Sequence, residues 1–151
     1  MDITNNTELY DIYELMITPP NKKGEMIVSE LMKKNPNLNL VSDLIELGAN
    51  LDWQDNLGWS ALFFCAAWAH FDIARMLVDA GADVNMQDEN GLTLLHWSVY
   101  ANDQNIARIL IEAGADVGIR SCNGNTILDW CERYNRLEIE IMMLQDQTKN
   151  S

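Results

Sequence analysis

The stretch AGADVNMQDENGLTLLHWS, residues 80–98, places two turn sequences ten residues apart and then runs into an apolar segment. Gly-Ala-Asp at 81–83 and Asn-Gly at 90–91 both favour turns, because glycine adopts a positive φ without steric cost. The hydroxyl of Thr93 comes directly before Leu-Leu-His, where it can cap the first turn of a helix. Taken alone, the stretch predicts a loop with two positive-φ positions followed by a helix.

The same pattern returns along the chain with one fixed spacing. Two glycine series and three further columns repeat every 33 residues: Gly48, Gly81 and Gly114; Gly58, Gly91 and Gly124; Ser60, Thr93 and Thr126; Leu62, Leu95 and Leu128; Ile73, Ile106 and Ile139. Independent columns that share one period indicate an internal repeat, and a period between 20 and 50 residues is typical of solenoid proteins.

Each unit is predicted to be a pair of helices joined by a turn. Ser60, Thr93 or Thr126 caps the first helix. In residues 104–114, QNIARILIEAG, the apolar side chains recur at helical spacing, and Gly114 is placed to end the second helix in the left-handed conformation. One such pair cannot bury its apolar faces alone, so the sequence predicts stacked units with a continuous core.

These residues resemble a known family. The run from Gly91 through Thr93 and Leu95 to His96, preceded by Gly-Ala-Asp-Val-Asn at 81–85, is similar to the signature of the ankyrin repeat. The resemblance covers about residues 20–147 and implies an all-α ankyrin-repeat solenoid of helix-turn-helix units joined by β-fingers. The chain departs from the family where its proline is replaced by Ala61, Leu94 and Ile127, and its histidine survives only as His96.

We expect one ankyrin repeat domain over residues 1–151, with about four units and atypical ends. Apolar residues at helical spacing before Pro19 and Pro20, among them Leu9, Ile12, Leu15 and Met16, predict an additional helix that packs on the first unit. The expected parts are an N-terminal helix at 7–17, a degenerate first repeat at 21–52, repeats at 53–85 and 86–118, and a C-terminal cap at 119–147.

The composition limits the classes of partner. The chain has 10 Lys and Arg against 23 Asp and Glu, a formal net charge of -13, which argues against nucleic acid and anionic membranes as ligands. No Lys or Arg lies between Lys34 and Arg75, so the middle of the chain is acidic. This acidity serves either solubility or the attraction of a basic protein partner.

The three cysteines and the N-terminal segment bear on the compartment. Cys65, Cys122 and Cys131 are odd in number and lack metal-ligand spacing, so we expect reduced thiols, no metal and no cofactor. The N-terminal residues are acidic and polar where a signal peptide is basic and then apolar. We therefore expect a cytoplasmic protein, with the nucleus or delivery into a host cell left open.

The resemblance implies that the finger tips and the first helices form a concave face that binds another protein. Aromatic residues there are candidate anchors, and acidic residues beside them would suit a basic partner. The candidate partner-binding residues are Trp53, Asp55, Trp59, Trp68, Met86, Asp88, Glu89, Leu92, Tyr100 and Tyr134. The alternative is that these rings cover the edge of the core. Trp97 and Trp130 are expected to pack between helices.

Other interpretations concern function and modification. The protein, expected to be a monomer, could instead be a self-associating scaffold. The only candidates for catalysis are His96 and Asp129, which fall on adjacent stacked helices, about 8 to 10 Å apart and too far for a direct acid–base pair. Residues 77–85, LVDAGADVN, resemble the target of an asparaginyl hydroxylase, which would modify Asn85; alternatively Asn85 hydrogen-bonds the finger backbone.

Overall fold

The computed structural model describes residues 12–151, and all regular secondary structure in this part of the chain is helical. The expected all-α repeat architecture is confirmed. The helices are α1 Ile12–Ile17, α2 Pro20–Leu31, α3 Leu38–Glu46, α4 Ala61–Ala67, α5 Phe71–Asp79, α6 Leu94–Ala101, α7 Gln104–Glu112, α8 Ile127–Tyr134 and α9 Leu137–Lys149.

The helices after α1 form two layers. In one layer α2, α4, α6 and α8 pack side by side, in the other α3, α5, α7 and α9 do so, and each first helix also packs on the second helix of its own pair. The core lies between the layers. One repeat column contributes a fully buried apolar side chain from each pair: Leu44, Leu77, Leu110 and Met143. The apolar stripes that define the period are thus the surfaces that stack.

The additional N-terminal helix is only partly embedded. Leu15 is buried in the core, whereas Ile12 and Met16, from the same expected stripe, are 60% and 59% exposed. The helix observed is Ile12–Ile17, and the expected residues 7–11, including Leu9, lie outside the described residues. Leu15 thus joins the helix to the core, whereas Ile12 and Met16 remain exposed.

Consecutive fingers are in direct backbone contact. The backbone N–H of Glu89 donates to the Leu57 carbonyl at 3.1 Å, and that of Cys122 donates to the Asn90 carbonyl at 3.0 Å. Gly58 and Gly91 make this approach possible, because a Cβ there would lie within 2.9 Å of the next finger's backbone. Only one isolated β-bridge, Gln87 to Thr93, occurs within residues 12–151, so these contacts define the fingers more than strand pairing does.

Two of the three expected hydroxyl caps are present. Thr93 and Thr126 each accept from the backbone N–H three residues on, and the side chains of His96 and Asp129 bond back to complete capping boxes. Ser60 makes no side-chain cap bond, which corrects the expectation for α4. The residue three positions later is Phe63, which has no polar side-chain atom to close a box.

Candidate functional site

Five aromatic rings touch one another in series across α6, α8 and the finger before α4. The centroid of Trp59 lies 6.1 Å from Trp97, Trp97 lies 6.1 Å from Tyr100, Tyr100 lies 5.5 Å from Tyr134, and Tyr134 lies 5.6 Å from Trp130. We call these five residues the aromatic row. The rings meet edge to face or tilted, which is the arrangement that aromatic quadrupoles favour.

The aromatic row combines residues expected for binding with residues expected for packing. Trp59, Tyr100 and Tyr134 were candidate anchors. Trp97 and Trp130 pack against the core, as expected, but each is only half-buried. Trp97 and Tyr100 are three residues apart on α6, and Trp130 and Tyr134 are four apart on α8, so each pair lies on one helix face. That spacing was the signal available in the sequence.

An aspartate fixes the ring at the centre of the row. The indole Nε1 of Trp97 donates to Oδ2 of Asp88 at 3.0 Å, while Oδ1 of Asp88 accepts from the backbone N–H groups of Asn90 and Leu92. Asp88 is only 7% exposed. The expectation that Asp88 offers a charge to a partner is therefore wrong, because its carboxylate holds the finger and the Trp97 ring.

Asp55 plays the corresponding role one unit earlier. Its Oδ1 accepts from the backbone N–H groups of Leu57 and Trp59, both at 2.9 Å, and its side chain is half-buried. This corrects the view of Asp55 as a free surface charge. Of the three carboxylates proposed to attract a basic partner, Glu89 alone is exposed.

The fourth unit lacks the aspartate. Ser121 occupies the position of Asp88, and Trp130 the position of Trp97. Within residues 12–151, the Ser121 hydroxyl and the Trp130 Nε1 are buried polar atoms with no hydrogen-bond partner. A serine side chain is one heavy atom shorter than aspartate, so the hydroxyl cannot take the place of the Oδ2 that binds Trp97.

A groove opens beside the aromatic row, between α4 and α6. Its volume is about 120 Å³, and its lining is almost wholly apolar. The two first helices on either side pack less closely than α6 packs on α8. The lining residues are Trp59, Phe63, Ala66, Ala67, Leu94, Trp97, Ser98, Ala101, Asp103 and Ile106.

The remaining candidates lie outside the row. Trp68 ends α4 and is 53% exposed, and Trp53 is half-buried against the core. No ring contact joins either tryptophan to the aromatic row within the described residues. Met86 and Leu92 are half-buried finger residues. These four residues therefore flank the row or the core rather than forming part of the ring series.

His96 and Asp129 are engaged in capping bonds. Nδ1 of His96 accepts from the Thr93 backbone N–H at 3.1 Å, and Nε2 lies 3.4 Å from the Asn125 carbonyl, so the neutral tautomer with the proton on Nε2 satisfies both bonds. Burial lowers the pKa of His96. The hydrogen bonds from the backbone and hydroxyl of Thr126 lower the pKa of Asp129. Both side chains therefore stabilise helix starts.

Asn85 makes a bond that joins two fingers. Its Oδ1 accepts from the backbone N–H of Asp116 at 2.8 Å, and one unit earlier Oδ1 of Asp52 accepts from Asp83 at the same distance. This agrees with the interpretation of Asn85 as a residue that bonds the finger backbone. Hydroxylation of Asn85 stays a prediction, and it requires this bond to open.

The cysteines differ in environment. All three are free; Cys65 and Cys131 are buried, and Cys122 is exposed. Burial raises the pKa of Cys65 to about 12 and that of Cys131 to about 11. No group of three His, Cys, Asp or Glu residues placed to hold a metal ion occurs in residues 12–151. In the same range, no helix combines the length and the apolar character needed to cross a bilayer.

The comparison with protein families decides the identity of the fold. The family described as ankyrin repeats (3 copies) matches residues 5–88 and 81–151. The chain is an ankyrin-repeat protein. Ankyrin repeats generally mediate protein–protein interactions and are typically not catalytic. A search of curated proteins finds no match to this ankyrin-repeat chain.

Proposed function

We propose that this ankyrin-repeat protein binds a partner protein through the aromatic row. The observation that supports the proposal is the unbroken series of five ring residues, which spans two first helices and a finger. These are the elements on which the family's binding face is expected. Tyr100, in the middle of the series, is 54% exposed although its neighbours hold its ring from two sides.

Such a surface is suited to binding because its side chains are already ordered. Tryptophan and tyrosine desolvate large areas while losing little conformational entropy, and a few of them commonly supply most of an interface's free energy. The bond from Trp97 to Asp88 further restricts the central ring. A partner would therefore meet a preorganised surface.

The charge distribution favours a basic partner. Residues 35–107 contain ten Asp and Glu but only one Lys or Arg, Arg75, whose guanidinium pairs with Glu112 at 2.9 Å. Excess negative charge raises the association rate of a basic protein and repels nucleic acid. We further propose that the protein acts as a monomeric binding module in the cytoplasm.

Affinity capture from cells that express the protein tests the proposal. Tyr100→Ala should weaken retention of the bound proteins by about 2 kcal/mol, and the free protein should stay helical. Leu137→Ala is the matched control, because Leu137 is 58% exposed but lies on α9. Proteins held by the parent and by Leu137→Ala, but lost with Tyr100→Ala, would support the proposal. An identical captured set for all three would contradict it.

A second candidate function is self-association through α9. Leu137, Ile141 and Leu144 are 58%, 42% and 50% exposed, and their spacing places them on one helix face. Sedimentation over a wide concentration range separates the two functions. Concentration-dependent dimers that Ile141→Glu abolishes would favour a scaffold, whereas a constant monomer mass favours a protein that binds a different partner.

A further inference from the structure

We propose that the groove between α4 and α6 receives an arginine side chain of the partner. This inference rests on the proposed function, because the groove shares Trp59 and Trp97 with the aromatic row. It specifies one side chain by which the partner would contact this surface. Three features of the described residues support arginine: the aromatic walls, the carboxylate of Asp103, and the residues found at the equivalent junctions.

The aromatic and apolar lining of the groove suits the aliphatic stem and the planar guanidinium of an arginine. Trp59 and Trp97 line the groove, and the small side chains of Ala66, Ala67 and Ala101 leave room beside them. An arginine packs its aliphatic stem along apolar surface and stacks its planar guanidinium on an aromatic face. Tryptophan gives the strongest cation–π attraction among the aromatic residues.

Asp103 supplies the charge. Its Oδ1 caps α7 by accepting from the backbone N–H groups of Asn105 and Ile106, each at 3.1 Å. Its Oδ2 has no hydrogen-bond partner among residues 12–151. The described residues that line the groove include Asp103 and no Lys or Arg. A cation bound at the groove would therefore lie near a carboxylate that forms no ion pair among the described residues.

The other two junctions between consecutive first helices, α2–α4 and α6–α8, hold a side chain that bonds back across the junction. His70 and Arg136 occupy the same repeat column as Asp103. His70 places Nε2 3.1 Å from the Leu31 carbonyl, and the Arg136 guanidinium donates to the Val99 and Tyr100 carbonyls, so both reach back to the end of the preceding first helix.

At the α4–α6 junction the chain offers no such donor from this column. The residues equivalent to Val99 and Tyr100 are Ala66 and Ala67, which line the groove. The carboxylate of Asp103 can accept hydrogen bonds, but it cannot donate one to the carbonyl groups of Ala66 and Ala67. An arginine from the partner would supply at this junction the kind of group that Arg136 supplies at the next one.

The test uses nuclear magnetic resonance of the tryptophan indole N–H groups. The full chain, labelled with ¹⁵N, is titrated at low ionic strength to high millimolar concentration with the peptide acetyl-Gly-Arg-Gly-amide. The same peptide with citrulline in place of arginine is a neutral control of nearly equal shape. Asp103→Asn is the matched variant, because asparagine caps a helix as well as aspartate does but carries no charge.

We expect the Trp97 and Trp59 resonances to shift and saturate with the arginine peptide, while the Trp53 resonance stays in place. Affinity should fall about fivefold with citrulline or with Asp103→Asn, as the loss of a partly exposed ion pair predicts. Equal affinity for arginine and citrulline, an unchanged affinity of Asp103→Asn, or no saturable shift would overturn the inference. Equal or tighter binding of a lysine or leucine peptide would also overturn it.

The two proposals fail in different ways. If Tyr100→Ala abolishes capture of the partner but Asp103→Asn leaves capture and peptide binding unchanged, the aromatic row binds the partner and the arginine inference is wrong. If the arginine peptide shifts Trp97 but Tyr100→Ala captures the same proteins as the parent, the groove binds arginine and the proposed function of the row is wrong.

Discussion

One residue of this repeat array, Ala69, has a strained backbone conformation. Ala69, Asn102 and Asn135 occupy one repeat column, within two residues of the ends of α4, α6 and α8, and have φ values of 57°, 56° and 54°. Asparagine tolerates the left-handed region because its short polar side chain bonds locally, whereas an alanine there costs about 1 kcal/mol or more. Ala69 therefore lowers the stability of the second unit.

Ala69→Asn should raise the free energy of unfolding by about 0.5 to 1 kcal/mol. Urea unfolding of the parent and the variant measures the change. Ala80→Asn is the control, since Ala80 is also exposed at the end of a helix but has a φ of -81°. An equal gain in both variants would show that the effect does not come from the backbone conformation of Ala69.

Single helices depend on side chains that close their first turns. The start of α6 requires Nδ1 of His96 to accept from Thr93, and a protonated ring has no acceptor there. Burial lowers the pKa of His96 below its ordinary value of 6.5. The unfolded chain therefore takes up a proton at a higher pH than the folded chain does.

The free energy of unfolding should consequently decrease as the pH falls below 6.5 and through the lower folded pKa of His96. His96→Gln should flatten this slope, because glutamine can also close a capping box but does not titrate. Urea unfolding at pH values above and below the ordinary histidine pKa measures how the free energy of unfolding changes with pH. His70→Gln removes the chain's other histidine, and loss of the slope in that variant instead would contradict the assignment.

The fourth finger should be improved by an aspartate. Ser121→Asp would place a carboxylate where Asp88 binds Trp97, giving the buried Trp130 Nε1 an acceptor and the finger two backbone bonds. We expect a gain of about 1 kcal/mol in the free energy of unfolding. The reciprocal change, Asp88→Ser, should cost about 1 to 3 kcal/mol because it leaves Trp97 unpaired. A loss of stability in Ser121→Asp would contradict this account of the two orphaned atoms.

The period of 33 residues was enough to predict the fold of the repeat array. Each column that repeats in the sequence is an apolar, capping or turn position in the helix pairs, as Leu44, Leu77 and Leu110 illustrate in the core. The capping and turn residues within each unit and the apolar contacts between units favour the same structure. The units therefore stack in the order in which they occur along the chain.

The candidate site was only partly predictable. Trp59, Tyr100 and Tyr134 lie in the aromatic row as anchors, but Asp88 lies nine residues before Trp97, and only the path of the finger brings the two together. In a short helix, the spacing of apolar residues around a tryptophan is the same whether the ring is enclosed or lies at the edge of the core. Its exposure depends on how closely neighbouring units pack, which differs between the α4–α6 and α6–α8 junctions.

Site-specific photo-crosslinking tests whether the aromatic row is the binding surface. A benzophenone amino acid replaces Tyr100 in one protein and Leu137 in another, and both are irradiated in a lysate of cells that express the chain. We expect a discrete crosslinked partner of different sequence from position 100 and none from position 137. Crosslinks from position 137 alone, or a product at position 100 with twice the mass of this chain, would contradict it.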